Sequence, residues 1–156
     1  MKNNPRVVIV VGSKTDLNQI KETTDFFKKT AIAFDLKVLS AHRMPSDTAV
    51  FARGAANKGY KVIIASAGGA AALAGVIASH TTLPVVAIPV LTKSLNGLDS
   101  LLSVVQMPKG VPVASMAIGK AGAKNAGIFA AQILALSDKK LSEKLVKYKK
   151  NLSTKA

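Results

Sequence analysis

The sequence contains no cysteine, and this absence removes several classes of chemistry. Thiol nucleophiles, disulfide bonds and cysteine-ligated metal sites are all excluded. The chain has only two histidines and eight acidic residues, and none of them cluster with the spacing of a metal-binding motif. We therefore expect no bound metal ion.

Aromatic residues are also scarce, at 4% of the chain, and tryptophan is absent. The hydrophobic fraction of 49% is nevertheless that of an ordinary globular protein, so the core must consist of Val, Ile, Leu and many Ala residues. At 156 residues the chain fits one domain, and a domain of this size buries roughly 70% of its unfolded surface. We expect one α/β domain over residues 1–138.

Acidic residues are few relative to basic ones, and the formal net charge is +14. A polyanionic partner such as nucleic acid must therefore be considered. Much of the excess lies in residues 139–156, where seven lysines accompany only Glu143, and no aromatic residue except Tyr148 interleaves them for base stacking. We predict a solvated basic C-terminal helix and tail, and not a nucleic-acid site.

A long stretch without charged residues runs from Val62 to Thr92 and has the length of a membrane span. Gly68 and Gly69 divide it, prolines interrupt it further along, and its middle is rich in Ala and Gly instead of Leu. A strand, a turn, a helix and a second strand explain this composition better than a membrane helix. We therefore expect no membrane association, and interpret the stretch as the buried centre of a sheet.

The N-terminal run Arg6–Val11 is rich in Val and Ile and predicts a strand buried on both faces. Its apolar part is too short for the core of a secretion signal, which favours the cytoplasm. Strands and helices then alternate, which predicts parallel β-α-β units in a doubly wound sheet. The further predicted strands are 34–39, 61–65, 85–90 and 113–117; the predicted helices begin at 15 or 16 and then span 45–58, 70–79, 96–105, 124–136 and 142–150.

Ligands of open parallel sheets bind at the carboxyl ends of the strands, so the loops there are the candidate site. The first loop, Gly12–Asp16, lacks the glycine spacing of ATP-binding and dinucleotide-binding motifs. Its glycine and the amides that begin the next helix are nevertheless suited to a phosphate. Asp16 suits either of two roles, capping that helix or accepting hydrogen bonds from ribose hydroxyls.

His42 and Arg43 form the most informative pair in the sequence. Histidine titrates near neutral pH, and arginine offers a planar fork for phosphate or carboxylate. The pair follows a predicted strand, and it therefore suits proton transfer on an anionic substrate. The other histidine, His80, lies late in a predicted helix, where interaction with the helix dipole is a sufficient explanation.

Taken together, five motifs in the order of the chain resemble those of the N5-carboxyaminoimidazole ribonucleotide mutases, small bacterial enzymes of purine synthesis. The resemblance extends across nearly all of residues 7–136. Five motifs in family order are far more specific than any one of them. The motifs are Gly12–Asp16, Ser40–Pro45, Ala67–Ala71, Leu95–Pro108 and Ala117–Ala126.

This resemblance implies a flavodoxin-like three-layer αβα sandwich, a homo-octamer, and no metal, nucleotide or flavin cofactor. It implies an isomerase that moves a carboxylate from the exocyclic nitrogen of the ribonucleotide to ring carbon C4, with His42 relaying the proton. Residues 1–138 would then be the catalytic domain. The residues expected to bind the substrate are Gly12, Ser13, Asp16, Ser40, Ala41, Arg43, Ser66, Gly68, Gly69 and Ala70.

One departure from the family pattern opens alternatives. Family members usually read Ala-His-Leu-Pro-Gly where this chain has Ala71–Gly75, so a second imidazole is replaced by Ala72. A catalytically impaired ribonucleotide-binding or scaffold homologue is therefore the alternative hypothesis. Direct carboxylation of aminoimidazole ribonucleotide by carbon dioxide is a related enzymatic alternative.

Overall fold

The computed structural model describes residues 4–153, which form a five-stranded, wholly parallel sheet. The strand order is β2-β1-β3-β4-β5, the order of the flavodoxin-like doubly wound folds, and this confirms the predicted fold class. The strands are β1 (Val7–Val11), β2 (Phe34–Val38), β3 (Val62–Ala67), β4 (Val85–Pro89) and β5 (Ala114–Ser115).

Strand β1 lies between β2 and β3, and all five of its residues are fully buried. Because side chains alternate across a strand, Val7, Ile9 and Val11 enter one hydrophobic cluster, whereas Val8 and Val10 enter the other. A continuous β-branched run is therefore required here, since both faces of the sheet are covered.

Six α-helices cover the two faces of the sheet within residues 4–153. The first cluster receives side chains from α1, α5 and α6, and the second cluster receives them from α2, α3 and α4. This arrangement confirms the predicted three layers. The helices are α1 (Lys21–Thr30), α2 (Pro45–Gly54), α3 (Leu73–Ser79), α4 (Leu98–Val105), α5 (Gly119–Ala135) and α6 (Lys139–Ser153).

Two predicted helix starts near the candidate site are wrong. Helix α3 begins at Leu73 instead of Ala70, because Gly69 and Ala71 have φ angles of +66° and +24°, which a helix does not contain. Helix α5 begins at Gly119 instead of Lys124. Residues 119–122, predicted as a loop, therefore form the first turn of that helix.

The other differences concern the lengths of elements. Helix α2, predicted to reach residue 58, ends at Gly54. A short 3-10 turn at Ala56–Lys58 follows, and it ends at Gly59, whose φ of +91° is typical of a glycine after a helix. The segment predicted to open the first helix is instead a 3-10 turn, Lys14–Ile20. Strand β5 is shorter than predicted, at two residues.

Helix α6 begins at Lys139, three residues before the predicted start, because the Asp138 carboxylate accepts a hydrogen bond of 3.1 Å from the Leu141 amide. Leu141 is buried in the first hydrophobic cluster, and the Tyr148 ring meets the Phe26 ring edge-on at 5.6 Å. The basic helix thus packs into the hydrophobic core of the α/β domain. The predicted division of the chain after residue 138 stays a prediction. Among the described residues, no helix is long and apolar enough to cross a membrane.

Candidate active site

A cavity of about 420 Å³ opens at the carboxyl edge of the sheet, where the chain order reverses between β1 and β3. Eight of the eleven predicted site residues line it: Gly12, Ser13, Asp16, Ser40, Ala41, His42, Arg43 and Gly68. Six residues that were not predicted complete the lining: Ala67, Ala71, Ala72, Leu73, Val90 and Thr92. This is the switch point at which ligands bind in doubly wound sheets.

Size alone does not single out this cavity, because a groove of about 600 Å³ lies between α1 and α6. That groove is lined by side chains of the helical surface, including Glu22, Lys29 and Lys147, and it is far from the strand ends. The cavity at the sheet edge instead combines a histidine, an arginine and a carboxylate. We therefore take it as the candidate active site.

Ser13 shapes the loop that follows β1. Its backbone is extended, and its Oγ accepts hydrogen bonds from the Thr15 amide at 3.3 Å and from the Thr15 hydroxyl at 2.9 Å. The Asp16 amide then donates to the Ser13 carbonyl at 3.1 Å, which tightens the 3-10 turn. The turn holds the Asp16 carboxylate beside Gly12. A Cβ atom added to Gly12 would lie 3.7 Å from Asp16 Oδ2.

Arg43 joins the loop after β2 to the loop after β1. Its Nε donates to Ser40 Oγ at 3.2 Å, and one terminal nitrogen donates to the Gly12 carbonyl at 3.2 Å. The Arg43 amide also donates to Ser40 Oγ at 3.3 Å. Because a guanidinium has five N–H donors and these side-chain contacts use two, the fork retains donors for an anion.

Burial raises the pKa of the Asp16 carboxyl above its ordinary value. Three weaker influences oppose this effect: a hydrogen bond from the Thr15 hydroxyl, a backbone hydrogen bond at Ser13, and the positive charge of Arg43. Asp16 and Arg43 are thus electrostatically coupled across the cavity. The carboxyl combines partial removal from water with a nearby cation, a combination typical of ligand-binding sites.

His42 lies in the turn between β2 and α2, on the cavity's solvent-exposed rim. The Met44 amide donates to the Ser40 carbonyl at 2.7 Å and closes this turn, and Pro45 then begins α2. The turn presents His42 and Arg43 to the same cavity. An imidazole at an accessible rim can exchange protons with both solvent and ligand.

A further part of the cavity wall consists of the segment after β3 and the residues that follow β4. Gly68 packs so closely that a Cβ there would lie 3.2 Å from Val90 Cβ and 3.3 Å from Thr92 Cγ2. Ala72 lies directly before α3 and also lines the cavity. Thr92 was detectable as a site residue from its place after β4.

Three predicted site residues do not line the cavity. Ser66 is fully buried at the end of β3; its carbonyl accepts the Gly12 amide at 2.9 Å, and its hydroxyl has no hydrogen-bond partner among the described residues. Gly69 is half-buried, and its amide donates to Ser100 Oγ at 3.1 Å. Ala70 is exposed to solvent.

Within residues 4–153, no group of three or more His, Cys, Asp or Glu side chains is placed to hold a metal ion. The cavity contains a single carboxylate, Asp16, and a single imidazole, His42. These residues do not form the set of three or four ligands that protein metal sites use. The chemistry available here is hydrogen bonding, charge stabilisation and proton transfer.

Comparison with known proteins relates this geometry to a family. The sequence model of the AIR carboxylase family matches residues 6–155. The N5-carboxyaminoimidazole ribonucleotide mutase of Bacillus subtilis is 51% identical over 147 residues, which cover 94% of this chain and 91% of that protein. The enzyme of the same name from Escherichia coli K12 is 49% identical over 150 residues, covering 96% of this chain and 89% of that protein.

Similarity at the level of structure is equally extensive. The crystal structure of Treponema denticola PurE superposes with a TM-score of 0.86 and covers 97% of this chain and 93% of that one, at 26% sequence identity. Both the sequence and the fold thus match over nearly the whole chain. The chain therefore belongs to the AIR carboxylase family.

Proposed function

We propose that this chain is an N5-carboxyaminoimidazole ribonucleotide mutase, an isomerase of purine biosynthesis. The proposal rests chiefly on one observation: His42, Arg43, Asp16 and Ser13 line a single cavity at the switch point of the sheet. Relatives of this name at about half sequence identity support it over nearly the whole chain.

The ribonucleotide would lie with its phosphoribosyl end toward the loops after β1 and β2. Arg43 and the backbone of Ser13 would bind the phosphate, because both residues line the cavity and the guanidinium retains N–H donors there. The Asp16 carboxylate would accept hydrogen bonds from the ribose hydroxyls. Ser40 would act indirectly, since its hydroxyl orients the Arg43 side chain.

His42 would move the proton that the isomerisation requires. As the bond between the exocyclic nitrogen and the carboxyl carbon breaks, carbon dioxide leaves and the nitrogen takes a proton from the imidazolium. Ring carbon C4 then attacks carbon dioxide, and the imidazole removes the proton from C4, which restores the aromatic ring. The imidazole of His42 thus gives one proton to the nitrogen and takes one back from C4. One histidine therefore suffices as both acid and base.

Small apolar side chains would enclose the carbon dioxide between the two steps. Ala67, Ala71 and Ala72 line the cavity, together with Leu73 and Val90. Carbon dioxide is apolar, so such a wall would retain it without competing hydrogen bonds and exclude water from the reacting carbon.

The test is to incubate the purified protein with N5-carboxyaminoimidazole ribonucleotide and follow the C4-carboxylated product. We expect turnover far above the spontaneous rate and without dependence on added bicarbonate. Product formation that requires bicarbonate and uncarboxylated ribonucleotide would indicate direct carboxylation instead. Absence of product above the spontaneous rate would refute the proposed enzyme.

The alternative of a catalytically impaired homologue, which Ala72 suggested, is not favoured. The matches extend over nearly the whole chain, and the cavity contains His42 with the proposed phosphate-binding and ribose-binding groups. Only an inert native protein that gains turnover with Ala72→His would restore this alternative.

We further propose a homo-octamer in the cytoplasm. Five apolar residues around α4 expose half or more of their surface, which is typical of a subunit interface: Leu91, Leu95, Leu98, Leu102 and Val105. A charged ribonucleotide does not cross membranes unaided, which supports a cytoplasmic location. Native mass spectrometry should give eight times the 16.2 kDa mass of one chain, and a monomer would contradict the proposal.

Nucleic acid is not a proposed partner, although α6 is strongly basic. Tyr148, the aromatic residue among its lysines, packs edge-on against Phe26 and is therefore occupied in the core contact. Without a free aromatic ring, the surface lacks a stacking platform. Salt-resistant binding of RNA or DNA would contradict this expectation.

A further inference from the structure

A network of hydrogen bonds connects α4 to the cavity wall, although α4 itself does not line the cavity. At its centre is Ser100, whose side chain is fully buried. Ser100 Oγ donates to the Val90 carbonyl at 2.8 Å and accepts from the Gly69 amide at 3.1 Å. One hydroxyl thus ties the segment after β3 to the end of β4.

Neighbouring residues of α4 extend the same network. Ser103 Oγ lies 3.3 Å from the Gly69 carbonyl, so α4 contacts both polar groups of that residue's backbone. Asp99 accepts a hydrogen bond of 2.8 Å from the hydroxyl of Thr92, which also accepts the Gly97 amide at 3.2 Å. Thr92 lines the cavity, so the first turn of α4 holds a second part of the same wall.

The segment held by Ser100 has an unusual backbone. Gly69 has a φ angle of +66°, and Ala71 has a φ of +24°, which is unfavourable for a residue with a side chain. Ala71 is almost fully buried and lines the cavity. A residue in such a conformation persists only where the surrounding structure holds it firmly. The described hydrogen bonds that hold the segment come from α4 and from the Ala71 amide to the Gly68 carbonyl.

We infer that Ser100 is a positioning residue, which fixes the Gly68–Ala72 wall of the active site. This inference rests on the proposed function for its kinetic consequence, because that wall would enclose the reacting carboxyl group. Loss of the hydroxyl leaves a half-buried amide at Gly69 and a buried carbonyl at Val90 without this partner. The segment then relaxes away from its strained conformation, and the wall moves.

The test compares Ser100→Ala with the matched control Thr23→Val. Thr23 is also fully buried, and its hydroxyl donates to the Ala123 carbonyl at 2.5 Å, between α1 and α5 and away from the cavity. Each variant loses one buried hydroxyl. Kinetic constants are normalised to the folded fraction measured by circular dichroism, so that loss of stability alone cannot mimic an effect on the site.

We expect Ser100→Ala to lower the normalised kcat by about 10- to 100-fold, because small displacements of a reacting group have effects of this size. KM should change less than about threefold, since the hydrogen bonds of Ser100 go to Gly69 and Val90 and not to the proposed phosphate-binding and ribose-binding residues. Ser100→Cys, which retains a weak donor and acceptor, should recover part of the rate. Thr23→Val should keep native constants.

Hydrogen exchange gives a second readout that does not depend on turnover. In Ser100→Ala the amides of residues 69–72 should exchange at least about tenfold faster than in Thr23→Val, because their hydrogen-bond anchor is lost. Unchanged exchange in this segment, or native kcat in Ser100→Ala, would overturn the inference and leave the proposed function intact. An inert native protein would refute the proposed function, and the exchange comparison would then decide the role of Ser100 alone.

Discussion

Asp16 is the carboxyl group whose ionisation depends most clearly on the candidate active site. Burial raises its pKa, whereas the charge of Arg43 opposes that rise. We therefore expect Arg43→Gln to raise the Asp16 pKa further, because removal of a nearby cation disfavours the carboxylate. NMR titration of the Asp16 side-chain carbon, with Arg53→Gln as a control on the exposed surface of α2, measures the change. A lowered or unchanged pKa in Arg43→Gln would contradict the coupling.

His42 is the residue proposed to move the proton. We expect His42→Asn to lower kcat by about 10²- to 10⁴-fold, the usual contribution of one acid-base group, with a much smaller change in KM. His80→Gln is the matched control, because His80 follows α3 and does not line the cavity. Steady-state kinetics on both variants provide the measurement. Loss of activity confined to His80→Gln would exclude the proposed role of His42.

At the level of residues, sequence reasoning identified charged and polar site groups better than apolar ones. His42, Arg43 and Asp16 were predictable because their chemistry is distinctive and each follows a strand. Ala67 and Val90 line the cavity as well, but small apolar residues carry no chemical signature and resemble ordinary core positions. Only the packing of β3 against β4 brings them to the site.

Helix α5 depends on a glycine at the point where it approaches the chain before it. A Cβ on Gly122 would lie 1.5 Å from the Ala117 carbonyl oxygen, a backbone atom that cannot rotate away. We expect Gly122→Ala to lower the free energy of unfolding by about 3 kcal/mol or more. Gly54→Ala, at the end of α2 with no atom within 4 Å of the added Cβ, should change it by less than about 1 kcal/mol. Urea unfolding of both variants measures this difference in stability. Similar urea midpoints for Gly122→Ala and Gly54→Ala would contradict the prediction.

Helix α6 depends on Asp138, which caps its first turn. The Leu141 amide and, secondarily, the Arg6 guanidinium at 2.7 Å hold the pKa of Asp138 below its ordinary value. A lowered pKa means that this stabilisation is present above the ordinary pKa and is lost as the pH falls through the folded value. We therefore expect faster hydrogen exchange in the first turn of α6 for Asp138→Ala at pH 7.

The difference between Asp138→Ala and the native chain should disappear in acid, once Asp138 is protonated in the native chain. Glu143→Gln, an exposed change on the same helix, should leave exchange at pH 7 unaltered. Equal protection of the first turn of α6 in Asp138→Ala and the native chain at pH 7 would contradict the capping role.

The type and order of the helices and strands were predictable from the sequence, whereas the residues at which they begin and end were not. Alternating apolar runs and turn residues determined the number of strands and the parallel sheet. The start of α3 at Leu73 depends on the positive φ angles of Gly69 and Ala71, which tertiary contacts with α4 maintain. The early start of α6 depends on Asp138, whose position next to Arg6 involves residues far apart in the sequence.

At the scale of the whole molecule, the strand order places the site. The chain leaves β1 toward α1 on one face of the sheet and leaves β3 toward α3 on the other face. The loops after these two neighbouring strands therefore diverge and leave a cavity between them. The sequence predicted that the site would lie at strand ends, but which ends adjoin is a property of the sheet. The fold therefore converts three separate motifs into one site.

The most direct measurement is the turnover of purified N5-carboxyaminoimidazole ribonucleotide by the native protein and by His42→Asn, without added bicarbonate. The proposed function predicts rapid formation of the C4-carboxylated isomer by the native protein, and a rate about 10²- to 10⁴-fold lower for the variant. A native protein that binds the ribonucleotide in the cavity yet forms no product above the spontaneous rate would contradict it.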